Sequence, residues 1–201
     1  MEKISTQEII DRISQLEQSV EKGHNAWPKV FPEDDIRYNI GALYLKINDT
    51  EGAINHFLCF EALYPQDNGE PFHFMAWTIA LYRNGDLKEA EYMFLKTMLQ
   101  NEYLFPILFG QNPELLDGWH RMTLGEKDYI SKAPKWILDL WEKEEINWAM
   151  EIYQGELCNK IRERYATIKL FMKIERDINK LGELLLESSK LEKGDYSSLF
   201  H

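Results

Sequence analysis

Part of this chain is written twice, and that repetition limits its fold more than any other feature. Ile40, Tyr44, Asn48-Asp49, Ala53 and Phe57 are answered 37 residues later by Trp77, Leu81, Gly85-Asp86, Ala90 and Phe94. Each set spells an apolar helical stripe, a turn and a second stripe, so each copy reads as a helix-turn-helix unit. One such unit cannot bury its apolar face alone. The chain must therefore stack hairpins on one another, and an all-α fold is expected.

The spacing within the first copy has a physical reason. It reads Arg37-x2-Ile40-Gly41-x2-Tyr44, then Ala53-x3-Phe57, Phe60 and Pro65. Gly41 lets two helices approach closely, and Tyr44 and Phe57 fill the space between them. Ala53 is small where they cross, and Pro65 ends the second helix. This run resembles the tetratricopeptide consensus W-x2-L-G-x2-Y, A-x3-F, P. Arg37 stands in place of the opening Trp, while the second copy has Thr78 for Gly, Leu81 for Tyr and Glu102 near the expected Pro. The period exceeds the family's roughly 34 residues, and the excess falls in the turn from Gln66 to Gly69, where added length costs little closure entropy.

The resemblance covers residues 34–104 and implies about two antiparallel hairpins. It also implies a concave face, built from the first helix of each repeat, that holds a peptide or helix of a partner. In the family register that groove is lined by Tyr38, Asn39, Ala42, Leu45 and Lys46, then by Phe72, Met75, Ala76, Ile79, Tyr82 and Arg83. Tyr38 and Met75 stand where the family's carboxylate clamp places polar or basic side chains, so an acidic chaperone tail is not the implied ligand. Lys46 and Arg83 occupy equivalent positions. They suit a carboxylate on a segment whose apolar anchors meet Tyr38, Met75 and Tyr82.

The flanks read as capping helices of a single domain over residues 1–201. Ser5 and Glu8 form a capping-box pattern ahead of Ile9, Ile13, Leu16 and Val20, which predicts a helix over 6–22 ending at Gly23. Residues 24–32 read as an ordered connector. Residues 105–134 mix Pro and Gly with Leu104, Phe105, Ile107, Leu108, Phe109 and Trp119 near or within them, too apolar for a linker. Helical pattern resumes over 135–190. Trp136, Leu140, Glu144 and Trp148 fall near one stripe, and a last helix over 156–190 carries Ile161, Tyr165, Ile168, Met172, Ile178, Leu181 and Leu185. That helix is expected to close the array of its own chain as a monomer, or to pair with a second copy as a homodimer. The tail from Gly194 to His201 is expected to fray.

Charge narrows the partners. The formal net charge is -11, which opposes nucleic acid and anionic membrane surfaces. The excess is confined: residues 1–155 hold 14 basic and 26 acidic side chains, whereas residues 156–201 hold 9 and 8. Cys59 and Cys158, far apart and without CxxC spacing, indicate neither a disulfide framework nor a zinc knuckle. The N-terminus lacks a secretory pattern, so a cytoplasmic location is expected.

Chemistry-bearing motifs are sparse. His24, His56, His73, His120 and His201 form no HExxH, and His56 with Cys59 reads as a helix face before a metal pair. Glu114, Asp117 and His120 beside Trp119 are the acid-base constellation considered, with loop capping as the simpler reading. Gly69, Gly85 and Gly110 are isolated, and Ser131, Ser188 and Ser189 lack a GxSxG elbow. The tryptophans and Met75, Met93 and Met98 read as core, and Glu142 to Glu145 as a solvated face. No cofactor, metal or catalytic residue is expected. The function expected is a non-catalytic protein-binding scaffold, with a masking protein for a basic or secreted partner as the alternative.

Overall fold

The computed structural model describes residues 5–25, 36–65, 67, 69–113, 129 and 135–200. Among these residues the fold is all-α. In chain order the helices are α1 Thr6–Asn25, α2 Ile40–Lys46, α3 Thr50–Leu63, α4 Pro71–Asn84, α5 Leu87–Gln100, α6 Leu104–Leu108, α7 Lys135–Leu138, α8 Lys143–Gln154, α9 Glu156–Ile174 and α10 Ile178–Glu192. Single 3-10 turns occupy Ile36–Tyr38 and Ser197–Phe200. No described helix is long and apolar enough to cross a membrane. Where one domain is expected, the chain divides into two compact units, Met1–Ala90 and Glu91–His201, with the division falling inside α5.

The first unit begins with the expected cap. Glu8 N–H donates to Ser5 Oγ at 3.2 Å, and Ser5 N–H donates to the Glu8 carboxylate at 2.7 Å. Two orphan donors are thereby satisfied reciprocally. The helix continues through Gly23 to Asn25. Its Ile9, Ile13 and Leu16 bury against Ile40 of α2, with Val20, Leu43, Tyr44 and Ile47 at the edge. The Tyr44 hydroxyl donates to Glu17 at 2.7 Å.

Helices α2 and α3 pack as an antiparallel hairpin around Gly41. A Cβ at Gly41 would stand 2.3 Å from the tip of the Phe57 ring. That ring is fully buried and stacks on Trp77, with centroids 5.2 Å apart and planes 8° apart. Burying it stabilises the unit by about 2–3 kcal/mol, and only glycine leaves the space. Tyr44 similarly occupies the place where Gly52 lacks a side chain, 2.6 Å from an added Cβ.

The two turns repeat in detail. Asn48 N–H donates to Leu45 O and Asp49 N–H to Tyr44 O, both at 3.0 Å; Gly85 N–H donates to Tyr82 O and Asp86 N–H to Leu81 O, also both at 3.0 Å. Asn48 and Gly85 hold positive φ, 60° and 87°. Each bond and each left-handed residue lies 37 positions from its counterpart. The sequence repeat is therefore also a repeat of backbone geometry.

Arg37, which stands where the tetratricopeptide consensus that this run resembles has Trp, is held by rings and a carboxylate. Its guanidinium lies 4.7 Å from the Tyr38 ring centroid and 5.0 Å from that of Tyr64. It also pairs with Asp67 at 2.8 Å, with side-chain exposures of 12% and 16%. The other oxygen of Asp67 accepts from the Tyr38 hydroxyl and from Gly69 N–H, each at 2.8 Å. Asp67, in the turn after α3, thus supplies the carboxylate that holds the Arg37 guanidinium among these rings.

In the second unit α5 enters from the repeat, and Phe94 meets Phe105 of α6 at 4.0 Å between centroids. Trp141 and Trp148 approach these rings edge-on. The helix expected to run on from Lys135 is broken after α7 and restarts at Lys143, where Glu142 N–H donates to the Glu145 carboxylate at 2.8 Å. Glu145 is buried, so the run from Glu142 to Glu145 is in part a cap and not wholly a solvated face.

The last helix is likewise two helices. Glu175 accepts from Arg176 N–H and Asp177 N–H, and Asp177 caps α10 by accepting from Asn179 N–H. α9 and α10 then run as an antiparallel hairpin joined by Arg164 and Glu187 at 2.6 Å. Cys158, Ile161, Tyr165, Ile168 and Met172 bury one side of α9, while Ile178 and Leu185, which the sequence pattern puts on that same side, are 83% and 41% exposed.

Candidate functional site

The groove expected along the first helices of the repeats divides into buried and exposed halves. Tyr38, Leu45, Met75 and Ile79 are buried, at 8%, 1%, 0% and 0% exposure. Ala42, Phe72 and Ala76 are buried as well. A side chain without accessible surface cannot touch a partner, so these positions are core and not lining. Asn39, Tyr82 and Arg83 are half-buried and Lys46 is exposed.

The cause lies in α4. Every residue from Pro71 to Leu81 is buried, and the run PFHFMAWTIAL is apolar nearly all round, the pattern of an interior helix without a free face. Glu70 caps its first turn by accepting from His73 N–H at 3.0 Å. His73, the one polar ring in this stretch, is fully buried, with Nδ1 3.3 Å from Tyr38 O and Phe60 4.4 Å away between centroids. Accessible chemistry on this helix begins only at Tyr82 and Arg83, in its last turn.

The repeat geometry keeps the two basic positions equivalent. Lys46 closes α2 and Arg83 lies in the last turn of α4, each just before its left-handed turn residue. A base at a helix C-terminus is favoured by the unsatisfied carbonyls there. Both positions can carry a cation without any ligand, and both can meet an anion.

His56 and Cys59 meet different surroundings. His56 Nε2 lies 3.1 Å from Arg37 O, and burial lowers the imidazole below its ordinary value. Cys59 is exposed. Among the described residues no group of three or more His, Cys, Asp and Glu is placed to hold a metal ion. Glu114, Asp117, Trp119, His120 and Ser131 lie outside the described residues. Ser188 is buried and donates to Glu192 at 3.2 Å.

The second unit holds a cavity that the sequence reading passes over. It measures about 270 Å³ and is lined mostly by apolar surface, with Met98, Leu99 and Ala166 beside Tyr153, Asn159 and Arg162. The Arg162 guanidinium lies 3.8 Å from the Tyr153 ring centroid and donates to the Asn159 side-chain oxygen. Burial pushes the Tyr153 hydroxyl up, against the opposing charge of Arg162. Asn159 and Arg162 stand one helical turn apart on α9, but Tyr153 comes from α8 and Met98 from α5. No local motif joins them, so spacing could not reveal the cluster. No protein-family model, curated protein or solved structure matches this chain.

Proposed function

We propose that the chain is a non-catalytic protein-binding scaffold of the tetratricopeptide kind, in which Asn39, Lys46, Tyr82 and Arg83 hold a partner segment that carries a carboxylate. The observation that supports this reading is the repeated turn: the same backbone hydrogen bonds and the same left-handed residue recur 37 positions apart. Recurrence of that kind sets Lys46 and Arg83 at equivalent places in successive hairpins. Stacked repeats bring equivalent positions of successive units onto one extended binding surface. With Tyr38, Leu45, Met75 and Ile79 in the core, Tyr82 remains as the aromatic anchor, and the recognised segment is short and acidic.

The runner-up is a masking protein for a basic partner, favoured by the 26 acidic against 14 basic side chains of residues 1–155. One experiment separates the two by sign. In capture from the native lysate, the double variant Lys46→Glu with Arg83→Glu should lose the partner while its circular dichroism and melting temperature stay near wild type. A basic partner would be held more tightly by the same variant, because two cations become anions. Capture that does not change would remove the assignment of these residues.

A further inference from the structure

The cavity of the second unit joins an apolar body to a cation that has no counter-ion among the described residues. Arg164 pairs with Glu187, Lys169 with Glu102 and Lys160 with Glu156, but among the described residues no carboxylate pairs with Arg162. That is unexpected in a chain with 34 acidic side chains against 23 basic. Of the five N–H donors of its guanidinium, one goes to Asn159 and another lies toward the Tyr153 hydroxyl, and Nε is buried with no acceptor. A buried donor left without an acceptor is unfavourable, so the side chain's own hydrogen bonds do not account for its position. Stacking on Tyr153 holds it there.

The other charges around the cavity do not cancel it. Glu102 is neutralised by Lys169, 3.3 Å away, both mostly buried. Glu163 is exposed, where solvent screens it. Met98, Leu99 and Ala166 give the apolar wall. The volume of about 270 Å³ sets the size: an apolar cavity of roughly 150 Å³ accepts benzene, leaving room here for a ring, a short stem and one head group.

We propose that this cavity binds a small organic monocarboxylate with an apolar body of about one ring, its carboxylate taken by the uncommitted N–H groups of the terminal Nη1 and Nη2 atoms of Arg162 and its body set against Met98, Leu99 and Ala166. The pairing is charge-assisted and made in a largely apolar surround, where it counts for more than at a surface. The site is independent of the repeat surface and of the partner assigned to it.

Calorimetry on the full chain tests this, with 3-phenylpropanoate and 3-phenylpropan-1-ol as a pair differing only in the head group. Saturable binding of the acid is expected, with the alcohol about tenfold weaker or worse, the loss of one charge-assisted hydrogen bond. Arg162→Met and Arg162→Gln should each weaken the acid by a similar factor, and Ala166→Phe, which fills the cavity, should weaken both compounds. Equal affinity for acid and alcohol overturns the proposal, as does unchanged binding in either folded Arg162 variant, or no saturable binding of the acid at several millimolar. Should neither Arg162 variant fold, the wild-type comparison of acid with alcohol and the Ala166→Phe result decide it.

Discussion

Cys158 and Cys59 place the same functional group in opposite surroundings. Cys158 is 2% exposed, its Sγ 3.4 Å from Met98 Sδ, and burial pushes its thiol up to about 11. Cys59 is exposed. Reactivity belongs to the thiolate, so at pH 8 a thiol reagent should modify one cysteine of the native protein quickly and the second only on unfolding. Equal rates for the two would contradict the burial. The same shift fixes a sign for stability. The folded thiol holds its proton more firmly than the unfolded one, so its contribution is complete below pH 9.0 and is lost as pH rises toward 11. The hydroxyls of Tyr153, Tyr165 and Tyr196 are raised by burial too and extend the loss to higher pH. Melting temperature should therefore fall from about pH 9, and Cys158→Ala should flatten the first part of that fall.

Among the elements, the hairpin turns were the most legible part of the fold, because a turn is decided by a few adjacent residues. Asn48-Asp49 and Gly85-Asp86 differ in sequence yet take one backbone path, since Asn tolerates the left-handed region that Gly enters freely. Gly85 has open space where a Cβ would go, so strain alone governs substitution there. Gly85→Asn should cost a few tenths of a kcal/mol, while Gly85→Val should cost about 1–2 kcal/mol, as chemical denaturation would report. Equal costs would mean that the two turns are not the same device. Helix breaks were less legible. The stripes over 135–154 and 156–190 continue in phase across Asp139 to Glu142 and across Glu175 to Asp177, and only the side-chain caps at Glu145 and Asp177 stop them. The groove misled for a different reason. Its residues came from the family's register, whereas the composition of α4 itself, apolar on every side, already belonged to an interior helix.

At the scale of the whole molecule, the helical class followed from periodicity, but what joins distant segments did not. The cavity residues are drawn from α5, α8 and α9, and the ion pair of Arg37 with Asp67 spans a turn that looked like a tolerated insertion. Each half of that pair, read alone, resembles drift away from a consensus. Together they form one ion pair, and this bears on how such a protein could be engineered. Consensus averaging is a common route to stability, and the tetratricopeptide consensus that this run resembles would recommend Trp at position 37. The substitution Arg37→Trp would strip the Asp67 carboxylate of its counter-ion in a site only 16% exposed, at a cost of about 3 kcal/mol. Shortening the turn across Asp67 at the same time should recover most of that loss, a non-additivity that a double-mutant cycle on melting temperature would measure. Residues chosen position by position carry an assumption of independence, and in this chain Arg37 and Asp67 act as a pair.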